Sequence, residues 1–189
     1  MMNELVKKNR SFRAFHTGET IPEERLRAWI DTARHCPSAR NTQPLKYRIV
    51  TKQAELDAVL PTTYWAGSLG LQLPPLGQAP TAYIVICHDT SLSPVSGFSQ
   101  MDVGIAAQTI MLCAAEEGFG GCMIGSVKAD VVSEALQIPA HLAPQLVLGL
   151  GVPNENVVLT DAKDGAVRYY RDEENTHYVP KRPLDEILI

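Results

Sequence analysis

Apolar positions change rhythm several times along this chain, and each change marks an element. Leu26, Trp29, Ile30 and Ala33 recur at i, i+3, i+4 and i+7, the stripe of an amphipathic helix. Ahead of it, Thr20-Ile21-Pro22-Glu23 has capping-box spacing: the Thr20 hydroxyl and the Glu23 carboxylate can each satisfy an orphan backbone amide. Pro37 should stop that helix. A short helix is expected from Asn3 to Asn9, a strand from Leu45 to Thr51 and another short helix from Lys52 to Leu60. Ala82 to His88 is dense in Tyr, Ile and Val and reads as a strand covered on both faces. From Met101 to Gly118 the pattern is helical and apolar almost all round, interrupted mainly by Gln108 and Thr109. Gly118, Gly120 and Gly121 end it, and Met123-Ile124 leads into a turn. A helix from Ala129 to Leu136 and a strand from Gln145 to Gly151 follow. Val167-Arg168-Tyr169-Tyr170 and Thr176-His177-Tyr178-Val179 flank Asp172 to Asn175 as a hairpin, and the tail after Pro180 is charged and extended.

Two stretches have no period. Pro61 to Pro80 is rich in Pro and Gly and carries Tyr64 and Trp65, and Thr90 to Gln100 is polar. A loop as long as the first is usually functional or mobile, and here it is expected to shape a pocket. Helices and strands interleave without a regular β-α-β-α beat, and G-x-G-x-x-G is absent, so a Rossmann domain is not supported. One α+β domain over 1–189 fits better.

Length and composition then narrow the class. A chain of 189 residues can bury roughly two-thirds of its unfolded surface in a single core. It has little material left to surround a helix that is apolar on every side, which predicts a homodimer with Met101–Gly118 at or near the interface. With 45% hydrophobic and 20% charged residues, a net charge of −4 and no basic cluster, nothing suggests disorder or nucleic acid. The uncharged stretch Val103 to Ala115 is shorter than the roughly 20 residues of a membrane span. Met1 to Phe15 has no apolar run or cleavage site after its basic residues, so a cytoplasmic location is expected. Cys36, Cys87, Cys113 and Cys122 form no C-x-x-C pair and have no His at ligand spacing, so they read as free thiols, with Cys36 beside a candidate loop.

Little of this chain looks like acid–base or nucleophilic machinery. His16, His35, His88, His141 and His177 are scattered, Ser38 lacks a nucleophile elbow, and Asp102 and Glu116 bracket the apolar helix. Three segments remain: Arg10-Ser11-Phe12-Arg13, Pro37-Ser38-Ala39-Arg40-Asn41-Thr42-Gln43-Pro44, and Lys181-Arg182-Pro183-Leu184-Asp185-Glu186. Arginine forks and hydroxyls suit a dianionic phosphate. By itself the middle segment is equally a helix-to-strand turn. Ile124-Gly125-Ser126, equally a C-cap, and Leu148-Gly149-Leu150-Gly151-Val152-Pro153 complete the set.

In this order the segments resemble the nitroreductase family of FMN-dependent NAD(P)H oxidoreductases, along the whole chain. The resemblance implies a nitroreductase-like sandwich, with a central mainly antiparallel sheet, flanking helices and an intertwined homodimer. It implies FMN phosphate contacts from Arg10, Ser11, Arg182 and Lys181, and a positive charge from Arg13 toward the pyrimidine end of the ring. It places Pro37, Ser38, Ala39, Asn41 and Gln43 against an FMN held mainly by the other subunit, and the Ile124-Gly125 backbone near flavin N5. Asn9 departs from the family, where a second arginine often stands. The implied activity is ping-pong transfer of hydride from NADH or NADPH through the flavin to a nitroaromatic, quinone or similar electrophile, with no catalytic side chain required. The alternatives are an enone reductase, a reductive dehalogenase or a flavin-destroying enzyme, or a non-catalytic FMN-binding sensor or carrier.

Overall fold

The structure, a computed structural model, describes residues 1–189 apart from the side chain of Ser68. The chain forms two compact units, Met1–Pro153 and Asn154–Ile189.

The first unit is built on helices α1 (Met2–Lys8), α2 (Glu23–Ala33), α3 (Gln53–Val59), α4 (Gly97–Glu116) and α5 (Ala129–Ala135). Its strands are β1 (Leu45–Val50), β2 (Ala82–Asp89), β3 (Gly120–Ile124) and β4 (Leu142–Gly151), in the order β1-β2-β4-β3 with every pairing antiparallel. β2 lies inside the sheet and all eight of its residues are buried, as the run of Val and Ile predicts. Successive side chains alternate faces. Ile84, Ile86, Leu148 and Leu150 join Leu26, Trp29, Val103 and Ile110 of α2 and α4 in one apolar layer. Tyr83, Val85 and Val147 join Phe15, Val59, Trp65 and Val132 in the other, with α3 and α5.

Several expectations are corrected in detail. No capping box precedes α2: its N-cap is Pro22, with no side-chain cap bond. The Glu23 carboxylate instead takes Arg27 one turn on, at 2.6 Å. The box belongs to α4, where Ser96 and Ser99 exchange side-chain and backbone bonds of 2.9 and 3.3 Å, so α4 starts inside the stretch expected to be a loop. α2 stops at Ala33, before Pro37, in a tight turn closed by His35 and Cys36 amides. Gly120 to Ile124 form strand β3, which the sequence reading does not expect and which pairs with β4 along its whole length before the chain leaves the sheet at Gly125. Its opening glycines are steric: a Cβ on Gly120 would stand 2.5 Å from the Phe12 ring.

α4 is apolar on most sides, as read, yet one chain covers only part of it. Val103, Ala107 and Ile110 are buried, whereas Met101 and Ile105 are 63% and 41% exposed. Among the described residues no helix is long and apolar enough to cross a membrane.

The second unit holds β5 (Val157–Asp161), β6 (Tyr170–Arg171) and β7 (His177–Lys181) in the order β5-β7-β6. β6 and β7 form the expected hairpin, with Tyr170 opposite Tyr178 and their rings stacked at 5.1 Å. β5, absent from the sequence reading, pairs parallel to β7. A buried ion pair, Arg171 to Glu155 at 2.6 Å, braces this unit.

Candidate functional site

The segment Arg10 to Arg13 is laid along the free edge of β3. Ser11 bridges Gly121 in parallel, and the Phe12 amide donates to the Gly121 carbonyl at 2.9 Å. This fixes Arg10 in a half-buried position, where its Nη2 donates to the Val6 carbonyl at 2.7 Å. Arg10 Nε is buried without a hydrogen-bond partner, and no carboxylate among the described residues forms an ion pair with this guanidinium. Burial lowers its pKa. A half-desolvated cation with an orphaned donor gains most from an external anion, so the donor chemistry fits a phosphate. Ser11 is exposed beside it, and Arg13 Nη1 donates to the Ser11 carbonyl at 3.2 Å.

At the other end of β3, Ile124 is buried while Gly125 and Ser126 are exposed. Gly125 ends a strand and caps no helix, which removes the C-cap reading, and open space lies where its Cβ would be. The long Pro-rich segment braces this turn. Tyr64 N donates to Ser126 O at 2.9 Å, Thr63 bridges Val127, and Lys128 Nζ sits 5.6 Å from the centre of the exposed Tyr64 ring. Trp65 is buried instead, its Nε1 donating to Thr63 Oγ1 at 2.8 Å, so Tyr64 alone of the two presents a ring to solvent. From Gly121, beside Ser11, to Gly125 is four strand residues, roughly 13 Å. Cation and open glycine backbone are thus held on one rigid line.

The loop from Pro37 to Gln43 is held by Asp102 of α4. Asp102 Oδ2 accepts from Ser38 Oγ at 2.7 Å and Oδ1 from Ala39 N at 3.1 Å. Ser38 Oγ also accepts from Gln43 N at 3.0 Å, and Gln43 Nε2 donates to Asn41 O at 3.2 Å. Arg40, Asn41 and Gln43 all have left-handed backbone, with φ of 55°, 55° and 50°. Such residues are strained unless the surroundings hold them, and here a buried carboxylate does. Sequence spacing puts Asp102 at the end of the apolar helix; it lies inside α4, where a buried carboxylate must find donors, and an Asp beside such an apolar run is the signal for it. Cys36 Sγ lies 3.1 Å from Thr109 Oγ1 behind the loop. Two clefts flank the loop, of about 230 Å³ and about 650 Å³. Tyr47, lining the smaller, has its pKa pushed up to about 12 by burial and then by the nearby Cys36 and Asp102.

Within the first unit the loop and the Arg10–Gly125 line stay apart. The loop precedes β1 and the Arg10–Gly125 line follows β3, opposite edges of the sheet with β2 and β4 between them. Three strand spacings, roughly 14 Å, separate those edges. Lys181 and Arg182 lie in the second unit at the end of β7. There the Lys181 carbonyl accepts from Ala162 N at 2.7 Å, and Arg182 Nη1 reaches Glu186 Oε2 at 3.0 Å, both side chains part-exposed.

Known proteins resemble this chain in sequence and in fold. A protein of Methanothermobacter thermautotrophicus carrying the name NADH dehydrogenase/NAD(P)H nitroreductase is 32% identical over 165 residues, covering 85% of this chain and 82% of its own. The crystal structure of a nitroreductase family protein from Streptococcus pneumoniae superposes with a TM-score of 0.72 at 20% identity, over 100% of this chain and 99% of that one. An FMN-dependent nitroreductase from Clostridium difficile gives 0.67 at 22% identity, over 82% and 89%. These structures share the α+β fold with its antiparallel sheet and helices. The nitroreductase family model matches residues 6–152, most of the chain. The chain belongs to the nitroreductase family.

Proposed function

We propose that this protein is an FMN-dependent oxidoreductase that takes hydride from NADPH or NADH and delivers it to a nitroaromatic, quinone or similar electrophile by a ping-pong cycle. The observation that carries the reading is Arg10: a half-buried guanidinium with an orphaned Nε and no carboxylate partner among the described residues, on the same strand edge as the open Gly125 backbone. A relative named for NAD(P)H nitroreductase activity and a structural neighbour named as FMN-dependent support it.

On this reading Arg10 and Ser11 hold the FMN phosphate, and Arg13 places a cation toward the pyrimidine end of the ring. The absent side chain of Gly125 lets backbone approach the flavin. Bound FMN supplies the hydride-accepting and hydride-donating chemistry. The chain's own residues bind, orient and exclude water, and no side chain need move a proton. Tyr64, exposed at the Ser126 turn, offers a flat wall for a planar substrate.

The reading includes a homodimer. Met101 and Ile105 leave an apolar stripe of α4 uncovered, and the Pro37–Gln43 loop stands on the sheet edge opposite Arg10. A second copy that covers the stripe also supplies a loop to the first copy's flavin. The test is the visible spectrum of the purified protein, then anaerobic addition of NADPH or NADH and of a nitroaromatic or quinone. A yellow protein that bleaches and recovers, sedimenting at twice the chain mass, is expected. A colourless protein that cannot be loaded with FMN overturns the cofactor, and a monomer that retains FMN overturns the dimer.

A further inference from the structure

The second unit has a cleft of its own, of about 400 Å³, lined wholly by residues of that unit. Its floor is one face of the three-stranded sheet. Thr160 of β5 lies opposite Pro180 of β7, Tyr170 of β6 lies opposite Tyr178, and Tyr178 and Pro180, two residues apart, share a face. The Tyr170 ring, 51% exposed, lines the cleft and is backed by the Tyr178 ring at 5.1 Å and an interplanar angle of 16°. The Tyr178 hydroxyl donates to Asp172, whose carboxylate also accepts from Thr176 N at 2.8 Å, so the stack is fixed before any ligand arrives. The rim is charged and held as firmly. Ala166 N donates to the Lys163 carbonyl at 2.9 Å across a turn in which Asp164 and Gly165 are both left-handed, with φ of 51° and 72°, the two-residue hairpin turn that Asp-Gly favours. Lys163, Arg168 and Asp161 line the cleft, and neither Lys163 nor Asp161 forms an ion pair among the described residues. A cation and a carboxylate that share a cleft without neutralising each other leave a donor and an acceptor open to a ligand.

We propose that this cleft binds a nucleoside monophosphate: the base stacks on Tyr170, the phosphate takes Lys163 with Arg168 adding charge, and Asp161 accepts from a ribose hydroxyl. Every residue involved belongs to the second unit, so the site stands independently of the flavin reading. Stacking on an aromatic ring serves any base, because every base has a π-face. Lysine holds a phosphate as a point charge. A carboxylate on the same rim would repel a bare anion, yet it suits the hydroxyls that a ribose carries next to its phosphate, as in dinucleotide-binding folds. The volume lies within the roughly 300–1,000 Å³ of small-molecule sites. A free nucleotide and the adenosine end of a nicotinamide dinucleotide present this same chemistry, and the experiment separates the two sources.

Full-length wild type, Lys163→Gln, Tyr170→Ser and Arg10→Gln are titrated calorimetrically with 5′-AMP, adenosine and inorganic phosphate. Wild type should bind 5′-AMP, and less tightly as salt is added. Lys163→Gln should weaken 5′-AMP about tenfold, the usual worth of one charge-assisted bond, and leave adenosine unchanged. Tyr170→Ser should weaken 5′-AMP and adenosine alike by about tenfold or more, and Arg10→Gln, in the first unit, should change neither. Lys163 is exposed and outside the ring stack, so Lys163→Gln tests the site even if Tyr170→Ser unfolds the small sheet. Wild type that fails to bind 5′-AMP overturns the proposal, as does binding that Lys163→Gln leaves intact or that Arg10→Gln abolishes. Inorganic phosphate bound as tightly as 5′-AMP, and unaffected by Tyr170→Ser, overturns the nucleotide. With these titrations as expected, a kcat/KM for NADPH about tenfold lower in Lys163→Gln, with competitive inhibition by 5′-AMP, assigns the site to the dinucleotide, and an unchanged kcat/KM assigns it to a free nucleotide. If the flavin never bleaches, the oxidoreductase reading fails, and the titrations still decide whether the cleft binds 5′-AMP.

Discussion

The Asp102 clamp is the feature whose removal should be most legible. Asp102 is buried, and its two oxygens accept from Ser38 Oγ at 2.7 Å and Ala39 N at 3.1 Å. In Asp102→Ala both donors lose their acceptor. A hydrogen bond to a charged group is worth about 1.5–3 kcal/mol, but the variant also relieves a buried charge of its desolvation, so a net loss of about 3 kcal/mol is the reasonable sum. For a chain of this size each kcal/mol shifts Tm by about 2–4 °C, which predicts a fall of about 6–12 °C by differential scanning calorimetry. Asp102→Asn keeps one acceptor and should lose about half as much. Because the three left-handed residues depend on the clamp, amide exchange at Ala39 should accelerate more than exchange in β2, which lies inside the sheet. A Tm change below about 2 °C with unaltered Ala39 exchange would refute the argument that this carboxylate holds the loop.

Other consequences follow from the same geometry. Arg10→Gln should weaken FMN binding about 10- to 100-fold, read by flavin fluorescence on titration, with a matching loss of the Tm increase that FMN gives wild type. Unchanged affinity would take the phosphate away from Arg10. Arg182→Ala tests the C-terminal cation separately: release of FMN on gel filtration supports the role implied by resemblance, and full retention removes Arg182 from the site. Gly149→Ala places a Cβ 2.8 Å from Trp65 Cη2 and 3.1 Å from Pro80 Cγ. It should cost about 1–3 kcal/mol in urea unfolding as overpacking, and wild-type stability would show that the Trp65 segment yields freely.

The type of most elements could be read directly. α2, β2 and the long helix α4 follow from periodicity, because an i, i+3, i+4 stripe or an unbroken run of β-branched residues suits one backbone and misfits the other. β3 and β5 were missed for physical reasons. Gly120-Gly121 is read as a helix stop, yet those glycines are demanded by Phe12 and by the neighbouring strand, which are distant in sequence. β5 is too short to show a period and gains its identity only by parallel pairing with β7. Capping was misplaced because Thr20-x-x-Glu23 and Ser96-x-x-Ser99 both have the spacing, and the competing partner Arg27 decides against the first.

The sequence by itself determined an α+β chain of the nitroreductase family. Those properties reside in residue type and local spacing. Tertiary structure decided what each segment faces. It laid Arg10 on the β3 edge with an orphaned donor, gave Asp102 to the loop, and buried Trp65 while exposing Tyr64. It also set the loop and the Arg10 line on opposite sheet edges. Partner choice is long-range: it depends on strand order and on which side chains reach a shared space, and no local pattern of residues encodes it.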